Sequence, residues 1–75
     1  MSTTTEAPTV TLIHAVSGVL AEVTDLPLQT GPIYVRQQRL IEHAIEALQA
    51  KYPQLVVKGQ SVDSETAVVL FVEPV

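Results

Sequence analysis

One amphipathic segment, residues 30–53, is flanked on each side by two runs that have the alternating pattern of β-strands. Apolar residues recur in this segment at intervals of three and four, which places them on one face of a helix. No other stretch of the sequence has clear helical periodicity. The order of these patterns predicts two strands, one helix and two further strands.

The four strand-like runs have different apolar content. We expect the first two strands over residues 10–16 and 19–24, joined by a Ser17-Gly18 turn. The third is expected to be short, over residues 54–58, and to be followed by a loop. The fourth, over residues 66–73, is almost continuously apolar, and Pro74 stops it. Continuous apolar character is typical of a strand in the centre of a sheet.

The helix has clear signals at both ends. Pro32 suits the first helical position, and Pro53 cannot continue a helix, so we expect an end at Lys51 or Tyr52. The β-branched and aromatic residues 33–35 leave open whether that triplet is helical or extended. The apolar stripe expected to face the sheet contains Ile33, Tyr34, Leu40, Ile41, Ala44, Ile45, Leu48 and Tyr52.

These elements predict an α+β two-layer sandwich, in which one helix covers one face of a four-stranded mixed sheet. We expect the first and last strands side by side in the centre, and the second and third at the edges. The arrangement resembles the ubiquitin-like β-grasp fold over residues 9–74. Conjugation or sulfur transfer is not implied, because this chain has Glu73-Pro74-Val75 where those proteins carry a Gly-Gly tail.

Length and composition limit the ways in which this fold can be stabilised. The 75 residues predict a disordered tail over residues 1–8 and a single domain over residues 9–75. Such a short chain buries only about 60% of its unfolded surface, and it has no cysteine for a disulfide. Self-association or a protein partner is therefore expected. The absence of a signal peptide pattern and of a long apolar run favours a cytoplasmic protein and no membrane contact.

Charge and residue types exclude several classes of function. The net charge of −4, with only four Lys and Arg residues, disfavours nucleic acid. The two histidines, His14 and His43, have no neighbouring ligand pattern, so no metal is expected. Neither a catalytic constellation nor a phosphate loop is present, and we expect neither an enzyme nor a cofactor.

The strands suggest where another protein would bind. The first and last strands are apolar on both faces, but one helix covers only one face. An uncovered apolar face or an open edge is expected to bind a protein partner or a second copy. The sequence does not decide which face of the sheet is free. The candidates on the last strand therefore include residues from both faces. They are Val69, Leu70 and Phe71.

Further candidates lie elsewhere in the chain. The second strand, as a predicted edge, supplies the candidates Val19, Ala21 and Val23. His14 is a candidate interface residue on the first strand. Arg36 and Arg39, three positions apart at the start of the helix, are able to hold a carboxylate or a phosphate.

Together these patterns predict a small acidic, non-enzymatic protein–protein interaction module or assembly component, which is expected to be a homo-oligomer. One alternative is an inhibitor or decoy whose acidic surface binds a basic partner. A third is a small enzyme with a site formed between subunits and lined by Arg36, Arg39 or His14.

Overall fold

A computed structural model describes residues 8–75 as one sheet with a single helix packed against it. The predicted α+β class and the order of two strands, a helix and two strands are confirmed. The predicted tail, residues 1–8, lies outside the described residues except for Pro8. The elements are β1 (Thr9–Ala15), β2 (Gly18–Thr24), α1 (Ile33–Lys51), β3 (Leu55–Ser64) and β4 (Ala67–Pro74).

The strands lie in the order β1-β2-β4-β3, and each neighbouring pair is antiparallel. The predictions of a mixed sheet, of β1 beside β4 and of a β-grasp strand order were therefore wrong. β2 pairs with β4, which leaves β1 and β3 at the edges. The side chains of β2 that face α1 are all apolar, whereas the corresponding series on β1 ends in His14, which stays exposed at the edge. Placing β2 inside the sheet thus avoids burying an imidazole.

The third strand is longer than predicted. It continues through residues 59–64, which were predicted to form a loop, and a two-residue turn at Glu65-Thr66 leads into β4. The register with β4 shifts between Val57 and Gly59 and again between Val62 and Ser64. These shifts are β-bulges, each of which inserts one unpaired residue. The polar residues of β3 belong to an edge strand, and this polarity is why the segment reads as a loop.

The helix begins at Ile33, so residues 33–35 are helical. Leu40, Ala44 and Leu48 are buried against the sheet, as predicted. The predicted stripe is wrong at its start, because Ile33 and Tyr34 are exposed. Ile33 lines a cleft instead of the core.

The hydrophobic core lies between α1 and one face of the sheet. The other face has no covering element within residues 8–75, and we call it the open face. Its side chains come from the strand positions that alternate with the core residues. The buried core consists of Val10, Ala21, Val23, Leu26, Leu40, Ala44, Leu48, Val68, Leu70 and Val72.

Neighbouring residues on β4 should respond differently to truncation. Leu70 is fully buried under α1, whereas Val69 alternates to the open face. We expect Leu70→Ala to lower the free energy of unfolding by about 2–5 kcal/mol, because it leaves a cavity in the core. Val69→Ala should cost about 1 kcal/mol or less. Urea denaturation of both variants measures the difference, and equal costs would contradict the assignment of the two faces.

Candidate interaction surface and cleft

An apolar row crosses the open face from one edge of the sheet to the other. Cross-strand pairing aligns Ile13 with Leu20, Leu20 with Phe71, and Phe71 with Gly59. Ile13 is 42% exposed and Phe71 is 45% exposed. The row therefore offers apolar surface that no described part of the chain covers.

The ring of Phe71 lies against the backbone of Gly59. A Cβ atom placed on Gly59 would lie 3.2 Å from Cδ2 of Phe71, closer than an ordinary van der Waals contact. Glycine weakens a strand because it has no side chain to pack, and a cross-strand aromatic ring can cover the exposed backbone. Part of the Phe71 ring thus has a structural role, although the residue lies on an open face.

A second row on the open face is mostly polar. It contains Thr11 on β1, Glu22 on β2, Val69 on β4 and Ser61 on β3, again in cross-strand register. Glu22 is half-buried and lies on an inner strand, near the middle of the face. A second copy stacked face to face would bring this carboxylate into an interface, where an unpaired charge is costly. The open face is therefore poorly suited to stacking on itself.

The two edges of the sheet differ in their protection. β1 contains no Asp, Glu, Lys, Arg or Pro and pairs with β2 along its whole length without a register shift. β3 carries Lys58 and Asp63, one at each of its bulges. Charges and bulges on an edge strand discourage pairing with another chain. β1 lacks both devices, so within residues 8–75 it is the less protected of the two edges.

The residues predicted to form an open edge lie inside the sheet. Val19, Ala21 and Val23 belong to β2, which pairs on both sides, and Ala21 and Val23 are fully buried. Leu70 is also buried, so its assignment to a free surface was wrong. Val69 and Phe71 do lie on the open face. The alternation of side chains along a strand separates Leu70 from Val69 and Phe71. It does not indicate which of these two faces the helix covers.

His14 lies at the hairpin end of β1, where it is exposed and paired with Val19. The structure thus places this candidate on the β1 edge of the sheet, on the side of α1. Leu12, two residues earlier on that side, is only half-buried. The helix therefore does not fully cover the β1 edge.

The two candidate arginines line separate depressions. Arg39 lies in a shallow depression formed by α1 itself, beside Val35 and Glu42. Arg36 instead lines a cleft of about 270 Å³ between the start of α1, the loop before it and the β3–β4 turn. Neither of these two depressions is lined by both arginines. The cleft lining contains Leu28, Gln29, Ile33, Arg36, Gln37, Leu40, Val62, Asp63, Ser64 and Glu65.

No pattern in the sequence predicted this cleft. Its walls come from residues 28–40 and residues 62–65, which are far apart in the chain, and its acidic wall lies in residues predicted to be a loop. The one sequence signal was Arg36 near the helix start.

Residues 8–75 contain no group of three His, Cys, Asp or Glu side chains placed to hold a metal ion together. In the same part of the chain, no helix is both long enough and apolar enough to cross a membrane. Comparison with protein-family models, curated proteins and solved structures gave no match.

A side-chain contact fixes the start of the β1 edge. The Thr9 hydroxyl donates a hydrogen bond of 2.9 Å to Oδ2 of Asp25, which follows β2. Asp25 has a φ of 61°, in the left-handed region that favours glycine. The next residue, Leu26, is buried, and its backbone N–H donates to the Thr66 carbonyl at 3.0 Å. The contact thus ties the β1 edge to a turn that is itself anchored to the β3–β4 hairpin.

Two substitutions at position 25 separate the hydrogen bond from the backbone strain. Asp25→Ala and Asp25→Gly both remove the carboxylate that accepts from Thr9, but only alanine keeps the cost of a positive φ. We expect the alanine variant to be about 1 kcal/mol less stable than the glycine variant, as measured by urea denaturation. Equal stability would mean that the turn relaxes to an ordinary conformation.

Proposed function

We propose that this chain is a non-enzymatic interaction module that assembles by strand addition at the β1 edge, and that its partner there is a second copy. The observation that supports this most strongly is the contrast between the two edges. β1 has seven residues with neither charge nor bulge, whereas β3 has two charges and two bulges. Strand addition supplies main-chain hydrogen bonds to a partner.

A second copy suits this edge because β1 is complementary to itself. Antiparallel pairing about a two-fold axis at Leu12 sets Thr11 opposite Ile13 of the second copy and Val10 opposite His14 of the second copy. Side chains on the open face then meet side chains on the open face, and helix-side residues meet helix-side residues. The pairing covers part of the exposed Ile13 side chain and the half-buried Leu12.

Charge favours self-pairing at β1 more than anywhere else on the sheet. The chain has a net charge of −4, so two copies repel each other over most of their surface. β1 contributes no carboxylate to that repulsion. Pairing at β1 also leaves Glu22, which lies on β2, in contact with water. Face-to-face stacking would instead remove Glu22 from water.

A short edge buries little area, so the expected dimer is weak. Analytical ultracentrifugation from about 10 µM to about 1 mM should show a monomer–dimer equilibrium. A protein that stays monomeric throughout this range, with its fold intact, would contradict the proposal.

Lysine substitutions at the two ends of one row test which edge of the sheet pairs with a second copy. Thr11 on β1 and Ser61 on β3 are both exposed and terminate the same row on the open face. We expect Thr11→Lys to abolish the dimer, because an edge lysine opposes strand addition, and Ser61→Lys to leave the dimer unchanged. Loss of the dimer only in the Ser61 variant would assign assembly to β3 and refute the choice of β1.

A further inference from the structure

The cleft beside the start of α1 has opposite charges on its two sides. Arg36 lines it from the helix, and Asp63 and Glu65 line it from the end of β3 and the turn that follows. Nε of Arg36 is buried and has no hydrogen-bond partner in the part of the chain that the structure describes. Neither carboxylate therefore accepts a hydrogen bond from this atom.

The unpartnered Nε of Arg36 needs an explanation. A buried donor without an acceptor costs about 1–3 kcal/mol, and such groups are rare in folded proteins. Nε itself is closed to a ligand, but Arg36 is only half-buried, so the rest of its guanidinium is the part that a ligand carboxylate can reach.

Apolar side chains line the cleft along with these charges. Leu28, from the loop before α1, is 68% exposed, and Ile33 on the first turn is 61% exposed. Leu40 and Val62 contribute further apolar surface. A ligand that covers Leu28 and Ile33 gains about 25 cal/mol for each Å² of apolar surface removed from water.

The acidic wall is built on an irregularity of β3. The register of β3 with β4 skips Asp63, so this residue is the unpaired one of the second bulge. Bulges redirect side chains and are frequent beside binding sites. The bulge therefore provides a local reason why the Asp63 side chain lines the cleft.

We propose that the cleft binds a small aliphatic α-amino acid. The ligand carboxylate accepts hydrogen bonds from the Arg36 guanidinium, and the ligand ammonium group pairs with Asp63 or Glu65. The aliphatic side chain covers Leu28 and Ile33. A ligand with only a carboxylate meets the two acidic residues, and a ligand with only an amine meets Arg36, so both charges are needed. The volume of about 270 Å³ is slightly below the range of about 300–1,000 Å³ of most ligand pockets, which favours a ligand of this size.

Three related compounds test the requirement for two charges. L-leucine, 4-methylpentanoate and 3-methylbutylamine share an aliphatic body, but the second lacks the ammonium group and the third lacks the carboxylate. Titration of the ¹⁵N-labelled protein, followed by NMR, should give saturable shifts with leucine around residues 28–40 and 62–65. Each single-charge analogue should bind at least about tenfold more weakly, since a hydrogen bond to a charged group is worth about 1.5–3 kcal/mol.

The proposal is overturned if leucine produces no localised shifts up to about 50 mM. It is also overturned if either analogue binds as well as leucine. This outcome is independent of the proposed dimer, because residues 28–40 and 62–65 lie outside β1.

Two arginines on one helix provide a matched pair of variants. We expect Arg36→Gln to weaken leucine binding at least about tenfold, and Arg39→Gln, in the separate depression, to leave it unchanged. If Arg36→Gln alters the spectrum of the free protein, the double variant Asp63→Asn/Glu65→Gln replaces it, because both acidic side chains are exposed. Unchanged affinity in a folded Arg36 variant would refute the assigned contacts. Where the double variant replaces it, unchanged affinity in the double variant would refute them.

Discussion

The pairing of β2 with β4 joins the two hairpins, and the rest of the structure depends on it. Each hairpin alone is a two-stranded ribbon, which is at best marginally stable in water. The register from Val19 opposite Val72 to Val23 opposite Val68 brings their apolar faces together. The combined surface is wide enough to bury one stripe of α1, and the core residues Ala21, Leu48 and Leu70 become inaccessible to solvent. The edges and the open face follow from this single pairing.

Local patterns predicted the type and order of the elements, because periodicity and proline positions act over a few residues. The strand order could not be predicted in this way, since either strand of the first hairpin is able to pair with β4. The wrong choice placed β1 in the centre because its apolar residues were counted without regard to His14. In β2, by contrast, the small Ala21 and the apolar Val23 fit directly beneath the helix. The pairing was therefore decided by contacts between distant segments.

The interaction residues predicted from the sequence also divide into correct and incorrect ones. Val69 and Phe71 were predicted to be interaction residues and lie on the open face, whereas Leu70 between them is buried. Alternation separates these two sets, but only the position of α1 decides which is covered. The cleft was missed because its acidic wall, with Asp63 and Glu65, belongs to a bulged strand whose polar residues have no clear β-pattern.

The helix joins β2 to β3, yet β4, the strand after both, lies between them. Since β2 and β3 both run antiparallel to β4, they are parallel to each other and share no hydrogen bonds. During synthesis, residues 8–66 therefore contain β2 and β3 but not the strand that joins them in the sheet. Folding cannot be completed until residues 67–74 are added to the sheet. Until then, the backbone groups of β2 and β3 that pair with β4 have no partner, and a nascent chain is most vulnerable to incorrect pairing in that interval.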